Sequence, residues 1–439
     1  MFKCVTLSYK LNRHQSIEIE ITEVIQVYFL SHHKLMAFFS VLLWTSLALS
    51  TASSKIAGVA WLALVLWGMF NWWVHRNEPT AHNTVQTASQ TWLMVCLVAL
   101  VLRSVGVVYW GESWAERHAE IRLLLGSLGL YGMLRFSSFG ASAVFDGDLF
   151  IRRTNHAISL ACLIGFGIAL LGGRDALTTN AIPWAGGMAM MTIWITHATF
   201  FVQAPIWERY LWALGALFGV LAVLVSETRG AYGVVMWVAL VFIWNIKKWL
   251  NGKRLMIGAG ALLLAIGLLY KTPVVQQPLG RVHSAITEFQ ASSEHKADAQ
   301  NSSVGARLVL WQLAKQAVPQ SPWVGYGQKQ RLDMIKDWGR QQQSKTVTSL
   351  GHMHNQYLHD LMDHGLLGLA SDLMYLVGLA GLGLWLLKRR HVFAGLTLGG
   401  VAFMHATTSL TNVNLAHNYY PTVMATIISL SLIFSPKPH

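Results

Sequence analysis

The chain has 439 residues, of which 54% are hydrophobic and only 12% are charged. Soluble proteins carry about 25% charged residues, and a water-soluble chain this apolar would aggregate through exposed apolar patches. The formal net charge of +13 comes from lysines and arginines scattered between apolar runs, without the continuous basic face typical of nucleic-acid binding. The composition therefore predicts an all-α polytopic membrane protein and argues against nucleic acid as a partner.

The apolar runs predict about 12 transmembrane helices, because each run is close to the ~20 residues that a bilayer requires. The predicted spans are 35–53, 56–74, 91–110, 121–136, 156–172, 186–202, 208–225, 231–249, 255–270, 365–387, 392–410 and 418–435. Residues 1–34 are predicted to be an N-terminal cytoplasmic tail or an upstream extension of a chain starting at Met36, and both alternatives stay open. Residues 35–270 then hold helices 1–9, residues 271–353 a long loop, and residues 354–439 helices 10–12 with a short C-terminal tail.

The distribution of basic residues predicts the orientation in the membrane. With the N-terminus in the cytoplasm, most basic loop residues are cytoplasmic, namely Arg76, Arg152, Arg153, Arg209, Lys247, Lys248, Lys253, Arg254, Lys388, Arg389 and Arg390. The short loops of the opposite side hold only Lys55, Arg117, Arg174 and Arg229. The segment 271–353 then faces this opposite side, which is the periplasm in a Gram-negative inner membrane. Its length indicates a functional loop, since connections beyond ~15 residues are seldom idle.

The stretch from His352 to Gly368 contains four histidines and two aspartates where the long loop meets the tenth apolar run. Such side chains are costly to bury at a membrane boundary and usually mark a site. His354 places an imidazole at a predicted helix start, where it can take a proton near neutral pH, and Asn355 is expected to orient it or a sugar hydroxyl. The alternative is that these polar residues only mark a helix end.

Further expectations concern the rest of this stretch. A zinc site formed by His352 and His354 is disfavoured, because residues two apart do not share a helical face. His364 is expected to face water. Gly365 and Gly368 are expected to permit close approach of another helix, as small residues do in membranes.

Two arginines on the side of the long loop are candidate phosphate ligands. Arg229, in Ser226-Glu-Thr-Arg-Gly230, lies at a helix start, where a guanidinium fork and helix amides suit an anion. Arg307 shares one face of a predicted loop helix with Trp311 and offers a second fork. Arg281 is a weaker candidate. The alternatives are an Arg229 that reaches lipid phosphate and an Arg307 that is simply solvated.

Within the membrane, Arg103 requires a partner, either a lipid phosphate or a carboxylate such as Glu112 or Glu116. His197 and His405 are expected to be satisfied by hydrogen bonds between helices. The cysteines are Cys4, Cys96 and Cys162, without a CxxC motif, so neither a disulfide framework nor a thiolate metal site is predicted.

In this order, the motifs resemble the O-antigen ligase family, within the wider group of bacterial O-antigen ligases, polymerases and protein O-oligosaccharyltransferases. The family pattern His-[Asn/Ser/Gln]-x9-Gly-x-x-[Gly/Thr/Tyr] is matched by His354, Asn355, Gly365 and Gly368. The element Ser-x-x-Arg-Gly is similar to Ser226 to Gly230. The loop element Ser-x-x-x-Arg-x-x-x-Trp, followed by Pro and Gly-x-Gly, is similar to Ser303, Arg307, Trp311, Pro322, Gly325 and Gly327. The resemblance covers roughly residues 36–435.

The resemblance implies a helical membrane glycosyltransferase of the C type that needs neither nucleotide nor metal as a cofactor. Its donor would be an O-antigen glycan on undecaprenyl diphosphate, and its acceptor a sugar of the lipid A–core, on the periplasmic face of the inner membrane. Arg229 and Arg307 would hold the diphosphate, and His354 would activate the acceptor hydroxyl. The remaining candidate substrate-binding residues are Asn355, Arg281, Trp311 and Arg103.

Three other functions stay open. An O-antigen polymerase would use the same donor with a second lipid-linked glycan as acceptor. A protein O-oligosaccharyltransferase often carries a larger C-terminal region. A lipid-linked glycan transporter is disfavoured, because the sequence has no obvious inverted repeat or pair of broken helices and its polar residues concentrate on one side.

Overall fold

The computed structural model describes residues 34–79, 83–114, 118–135, 147–249, 276, 279–280, 283–284, 286–290 and 301–434. All regular elements within these ranges are helices. Within the membrane part they are α1 (Lys34–Ala48), α2 (Ser54–His75), α3 (Thr84–Trp110), α4 (His118–Leu134), α5 (Gly147–Gly172), α6 (Ala181–Phe201), α7 (Ile206–Val225) and α8 (Gly233–Trp249). The later helices are α9 (Ser303–Ala317), α10 (Gly327–Gln341), α11 (Lys345–Ser349), α12 (Gln356–Lys388), α13 (Val392–Ser409) and α14 (Tyr419–Ile433).

Six helices in the described part of the chain, α2, α3, α5, α7, α12 and α13, are long and apolar enough to cross a membrane. The protein is therefore a polytopic helical membrane protein, whereas the predicted number of about 12 spans is not confirmed. Each predicted span except 255–270 coincides with a described helix, and 255–270 lies outside the described residues, as does the tail 1–33.

Helix α6 forms the centre of the bundle, where every residue from Ala181 to Thr199 is buried. Without a hydrophobic driving force in lipid, helices associate through close packing and interhelical hydrogen bonds. The ring of Tyr420 packs where a Cβ of Gly186 would lie, 2.7 Å from its Cε2. His197 Nδ1 lies 3.0 Å from the Thr397 hydroxyl, and Trp237 donates to His197 Nε2 at 3.1 Å. The expectation that His197 is satisfied between helices is thus confirmed.

His405 is satisfied in the same way. Its Nδ1 lies 3.2 Å from the Tyr420 hydroxyl on α14, and its Nε2 lies 3.2 Å from Asp372 Oδ1 on α12. The prediction for this histidine is also confirmed. The hydrogen bonds join α12, α13 and α14 at depths where unsatisfied polar groups would be costly.

Helix α12 is broken at His364 and Gly365, whose backbone angles are not helical (Gly365 φ 62°, ψ −150°). The break frees main-chain groups, which the preceding loop satisfies. Leu366 N donates to Pro322 O at 2.7 Å, and Tyr326 N donates to Met362 O at 2.8 Å. The loop is thereby fixed to the membrane bundle through backbone hydrogen bonds.

The expectation that Gly365 and Gly368 permit approach of another helix is wrong. A Cβ on Gly365 would lie 2.6 Å from the carbonyl oxygen of Pro322 in the loop. A Cβ on Gly368 would lie 2.6 Å from the carbonyl oxygen of Asp360 in its own helix. Both glycines therefore make room for backbone atoms that lie close to them at the break in α12. The close contact with α3 occurs at Gly106, on which the ring of His364 lies.

Helices α9 to α11 form a cap on the bundle with a small apolar core of its own. Its fully or nearly buried members are Ala306, Leu310, Ala314, Ala317, Ile335, Val347, Met353 and Met362. Because Met362 belongs to α12 and Met353 precedes it, the cap core continues into the membrane helix. The C-terminal part of the long polar segment is thus folded, and its core includes Met353 and Met362, which flank His354 in the chain.

Gly365→Ala is expected to destabilise the protein. The φ and ψ angles of Gly365 lie in a region reserved for glycine, which costs other residues roughly 1–3 kcal/mol, and the added methyl would collide with the loop backbone. The melting temperature in detergent should fall, and proteolysis of the cap should accelerate. Gly381→Ala in the same helix is the matched control, because a Cβ there meets nothing within 4 Å. Equal melting temperatures for both variants would contradict this role.

Candidate functional site

The two arginines from separate motifs line one cavity. The turns after α5, α7 and α13 lie at the same end of the bundle as the start of α12, because successive helices alternate in direction. Together with α9 they enclose a space of about 400 Å³. This arginine cavity is lined by Arg174, Arg229, Arg307, Glu227, Glu288 and Thr411, among others. The sequence motifs that suggested a phosphate site are therefore adjacent in space.

Local structure explains how Arg229 and Arg307 are presented. Arg229 begins a 3₁₀ turn, Arg229–Ala231, directly after α7. The turn packs against Thr411, whose hydroxyl occupies the space that a Cβ on Gly230 would need. Arg307 lies in the second turn of α9, whose N-terminus is capped by Ser302 through a 3.0 Å hydrogen bond from Gly305 N.

The arginine cavity carries an excess of positive charge. Burial lowers the pKa of the Arg307 guanidinium, the positive charges of Arg229 and Arg174 lower it further, and Glu288 raises it. Three arginines face two glutamates, which leaves a net charge of +1. Concentrated guanidinium groups in a half-enclosed space suit an anion that accepts several forked hydrogen bonds, such as a phosphate or diphosphate.

Arg174 is a member of this cavity that the sequence motifs did not single out. It begins a 3₁₀ turn, Arg174–Ala176, after α5, and it belongs to none of the three motifs. A signal was nevertheless present, since Arg174 is one of the few basic residues in the short loops opposite the basic clusters. Basic residues on that side are not needed for topology, and two of them, Arg174 and Arg229, line the same cavity.

His354 lies between α11 and α12 in a strained backbone conformation, with a φ of 52° that is uncommon for a residue other than glycine. Its ring centroid is 4.1 Å from that of His352, whose Nδ1 accepts a hydrogen bond from His354 N at 3.3 Å. Trp311 donates to Met353 O at 2.7 Å and so holds the preceding residue. The role of Trp311 in substrate binding stays a prediction. In the structure, its indole N–H positions the segment that contains the two histidines.

The neighbouring Asn355 is engaged in the helix itself. Its Oδ1 accepts from Leu358 N at 3.0 Å and caps α12. The amide thus fixes where the helix begins and, with it, the place of His354.

Within the described part of the chain, no three histidine, cysteine or carboxylate side chains are grouped as a metal site would require.

The imidazole of His354 is held in its neutral form. Burial lowers the pKa of His354 to about 3, and the positive charges of His352 and Arg307 contribute. Among the described residues, no partner hydrogen-bonds to the buried Nδ1 of His354. A neutral ring with an unused nitrogen can accept a proton, although Arg307 opposes the resulting charge. An anion beside Arg307 would offset that opposition.

Arg103 lies away from the arginine cavity, in a buried ion-pair network. Its Nη1 donates to Asp360 Oδ1 at 2.6 Å, and its Nε lies 3.1 Å from Glu120 Oε1. The expectation that Arg103 pairs with a carboxylate is thus confirmed, but the partners are Asp360 and Glu120 and not the suggested Glu112 or Glu116. Glu112 contacts His364 Nε2 at 2.9 Å, and Glu116 lies outside the described residues. Arg281, predicted to bind substrate, also lies outside them.

The expectation that His364 faces water is wrong, because the residue is fully buried. Its Nδ1 lies 3.2 Å from Arg103 Nη1, and its Nε2 contacts Glu112. The break in α12 turns the ring toward Arg103 on α3 and toward Glu112, which lies just beyond the end of α3. Its neighbours in sequence, Asp360 and Asp363, are buried as well.

A second cavity, of about 330 Å³, lies beside this network. We call it the carboxylate cavity, after Glu120, Asp360 and Asp363, which line it with Arg103, Arg331 and His352, among others. His352 therefore borders the carboxylate cavity, while Arg307, which lowers the pKa of His354, borders the arginine cavity. The two rings of His352 and His354 are tilted by 53° to each other, and the charge of Arg307 acts on both of them.

Comparisons with known proteins agree with the motifs. The family model described as O-Antigen ligase matches residues 214–372, a segment that includes Arg229, Arg307 and His354. An uncharacterized protein of Haemophilus influenzae is 24% identical over 241 residues, which cover 51% of this chain and 57% of that relative. The match thus spans little more than half of the relative's length.

His354 is expected to stay neutral at pH values well below the ordinary histidine pKa of 6.5. Because burial depresses its pKa to about 3, the imidazole should bind a proton only in strong acid. Histidine ¹³C shifts, assigned through His354→Ala, would give its titration midpoint. Arg307→Gln should raise that midpoint, since it removes a positive charge. A midpoint near 6.5 in both proteins would refute the burial and the charge effect together.

Proposed function

We propose that this protein is a membrane glycosyltransferase that uses a diphosphate-linked glycan. The premise is that residues 214–372 belong to the O-antigen ligase family. The donor is undecaprenyl diphosphate-linked O-antigen, and the acceptor is a hydroxyl of a lipid A–core sugar. The supporting observation is that Arg229 and Arg307, from two separate motifs, line one cationic cavity near His354. The site faces the periplasm of a Gram-negative inner membrane in this proposal.

The arginine cavity acts on the leaving group. Transfer breaks the bond between the anomeric carbon and the diphosphate oxygen, and the electron pair remains on that oxygen. Arg229 and Arg307, joined by Arg174, stabilise the developing negative charge with forked hydrogen bonds. The residues present therefore supply leaving-group stabilisation by themselves.

His354 acts on the acceptor. The sugar hydroxyl is a weak nucleophile, and a base that takes its proton during attack accelerates such reactions by about 10²–10⁴-fold. The oxygen forms a new bond to the anomeric carbon as the diphosphate leaves from the opposite face, which inverts the configuration. Diphosphate beside Arg307 offsets the charge that depresses the pKa of His354, so the base becomes competent when the donor is bound.

The cap excludes water from the reaction. Helices α9 to α11 lie over the site end of the bundle and carry Arg307, and their core continues into α12. Water in such a site would hydrolyse the donor, so a cap that limits its access favours transfer. The donor lipid remains in the membrane while its diphosphate lies at the boundary.

Reconstitution with undecaprenyl diphosphate-linked glycan tests the proposal. Lipid A–core and a second lipid-linked glycan are offered together, and the product identifies a ligase or a polymerase. His354→Ala should lower transfer by about 10²–10⁴-fold, because the base is lost. His283→Ala, an exposed histidine of the same long segment, should transfer like the wild type. The absence of any product from the wild type would refute the glycosyltransferase, and normal transfer by His354→Ala would refute the base.

Variants of the arginine cavity should weaken use of the donor. Arg174→Gln, Arg229→Gln and Arg307→Gln each remove a charged hydrogen-bond donor, and each should raise the KM for the lipid-linked glycan by about 10- to 100-fold. The control is Arg340→Gln, because Arg340 is exposed on α10, where its Nη2 lies 3.2 Å from an oxygen of the exposed Asp337. If the three variants keep the wild-type KM for donor, the diphosphate lies elsewhere.

A further inference from the structure

Resting on the proposed function, we infer that the carboxylate cavity binds the sugar that accepts the glycan, so that donor and acceptor occupy separate cavities near the His352–His354 pair. In a direct transfer, the acceptor hydroxyl must reach both the base and the anomeric carbon of the donor. The arginine cavity accounts for the donor's diphosphate. The carboxylate cavity is lined by His352, whose ring centroid lies 4.1 Å from that of His354.

Three arginines and two carboxylates line the arginine cavity, whereas two arginines and three carboxylates line the carboxylate cavity. A diphosphate is disfavoured there, whereas a ligand rich in hydroxyl groups is accepted. Carboxylates accept hydrogen bonds from sugar hydroxyls, and amides, imidazoles and guanidinium groups donate to sugar oxygens.

The polar groups of this cavity are held rigidly. Asp360 accepts from Arg103 at 2.6 Å and from Gln356 at 3.0 Å, while Asp363 pairs with Arg331 and with His359. Each carboxylate oxygen has two lone pairs, so these contacts leave capacity for hydroxyl groups. Rotamers fixed in this way lose little entropy on binding, which favours recognition of a flexible polar ligand.

The carboxylate cavity also has an apolar wall, formed by Val413, Leu415 and Ala416. A pyranose ring combines hydroxyl groups at its edge with C–H groups on its faces, and this wall suits those faces. The volume of about 330 Å³ is at the lower end of the range for small-molecule sites and admits a terminal sugar. The rest of the acceptor would extend out of the cavity.

Two substitutions probe the cavity without breaking its ion pairs. Gln328→Ala removes an amide side chain that lines the space, while the backbone hydrogen bond from Gln328 N to Glu112 remains available. Ala416→Trp fills the cavity from an exposed position in the turn before α14. Ser303→Trp is the matched control, because Ser303 is exposed and lines the arginine cavity.

The test is the separate measurement of donor KM and acceptor KM in the reconstituted full-length protein. Gln328→Ala should raise the acceptor KM by about 2- to 10-fold, and Ala416→Trp by more, while the donor KM stays within 2-fold. Ser303→Trp should raise the donor KM and spare the acceptor KM. A merely structural role of these residues would change both constants together or lower the amount of folded protein.

The outcomes separate this inference from the proposed function. If the wild type transfers glycan but Ala416→Trp leaves the acceptor KM unchanged, the acceptor site is elsewhere and the glycosyltransferase stands. If Ala416→Trp raises the donor KM instead, the carboxylate cavity belongs to the donor and the inference is overturned. If the wild type forms no product with either acceptor, the proposed function itself fails.

Discussion

The site depends on the break in α12, where main-chain groups of a membrane helix hydrogen-bond to the loop of the cap. Leu366 N and Met362 O, which a continuous helix would have paired internally, bond to Pro322 O and Tyr326 N. These bonds are short and join main-chain groups of two separate segments, so they fix the cap in a definite position above the bundle. Since Arg307 belongs to the cap and Arg229 to the bundle, the shape of the arginine cavity depends on this junction.

The same break determines the electrostatics of the neighbouring cavity. It directs His364 toward Arg103 on α3 and toward Glu112 just beyond that helix, and Arg103 in turn pairs with Asp360. Buried charges of this kind are stable only when each has its partner. The network therefore ties α3, α4 and α12 together beside the cavity. One irregularity in a helix thus bears on both the arginine cavity and the carboxylate cavity.

The helices and the arginines of the motifs could be predicted from local sequence, whereas contacts between residues far apart in the chain could not. Apolar runs predicted the helices, and two motifs predicted Arg229 and Arg307 of the arginine cavity, because each motif is local. The pairing of Arg103 with Asp360 joins residues 257 positions apart and leaves no mark in either neighbourhood. Arg174 likewise belongs to no motif, and His364 looked water-facing because a break that turns a side chain inward is invisible in helical periodicity.

The position of His354 beside Arg307 has a consequence for the order of events in the proposed reaction. If diphosphate in the arginine cavity raises the proton affinity of His354, then a proton on His354 must tighten binding of diphosphate by the same factor. In the proposed reaction, the free protein therefore holds a neutral base, and donor binding prepares it. After transfer, the protonated imidazole retains the diphosphate product until the proton leaves. Loss of that proton, which the charge of Arg307 favours once again, releases the product and restores the neutral base.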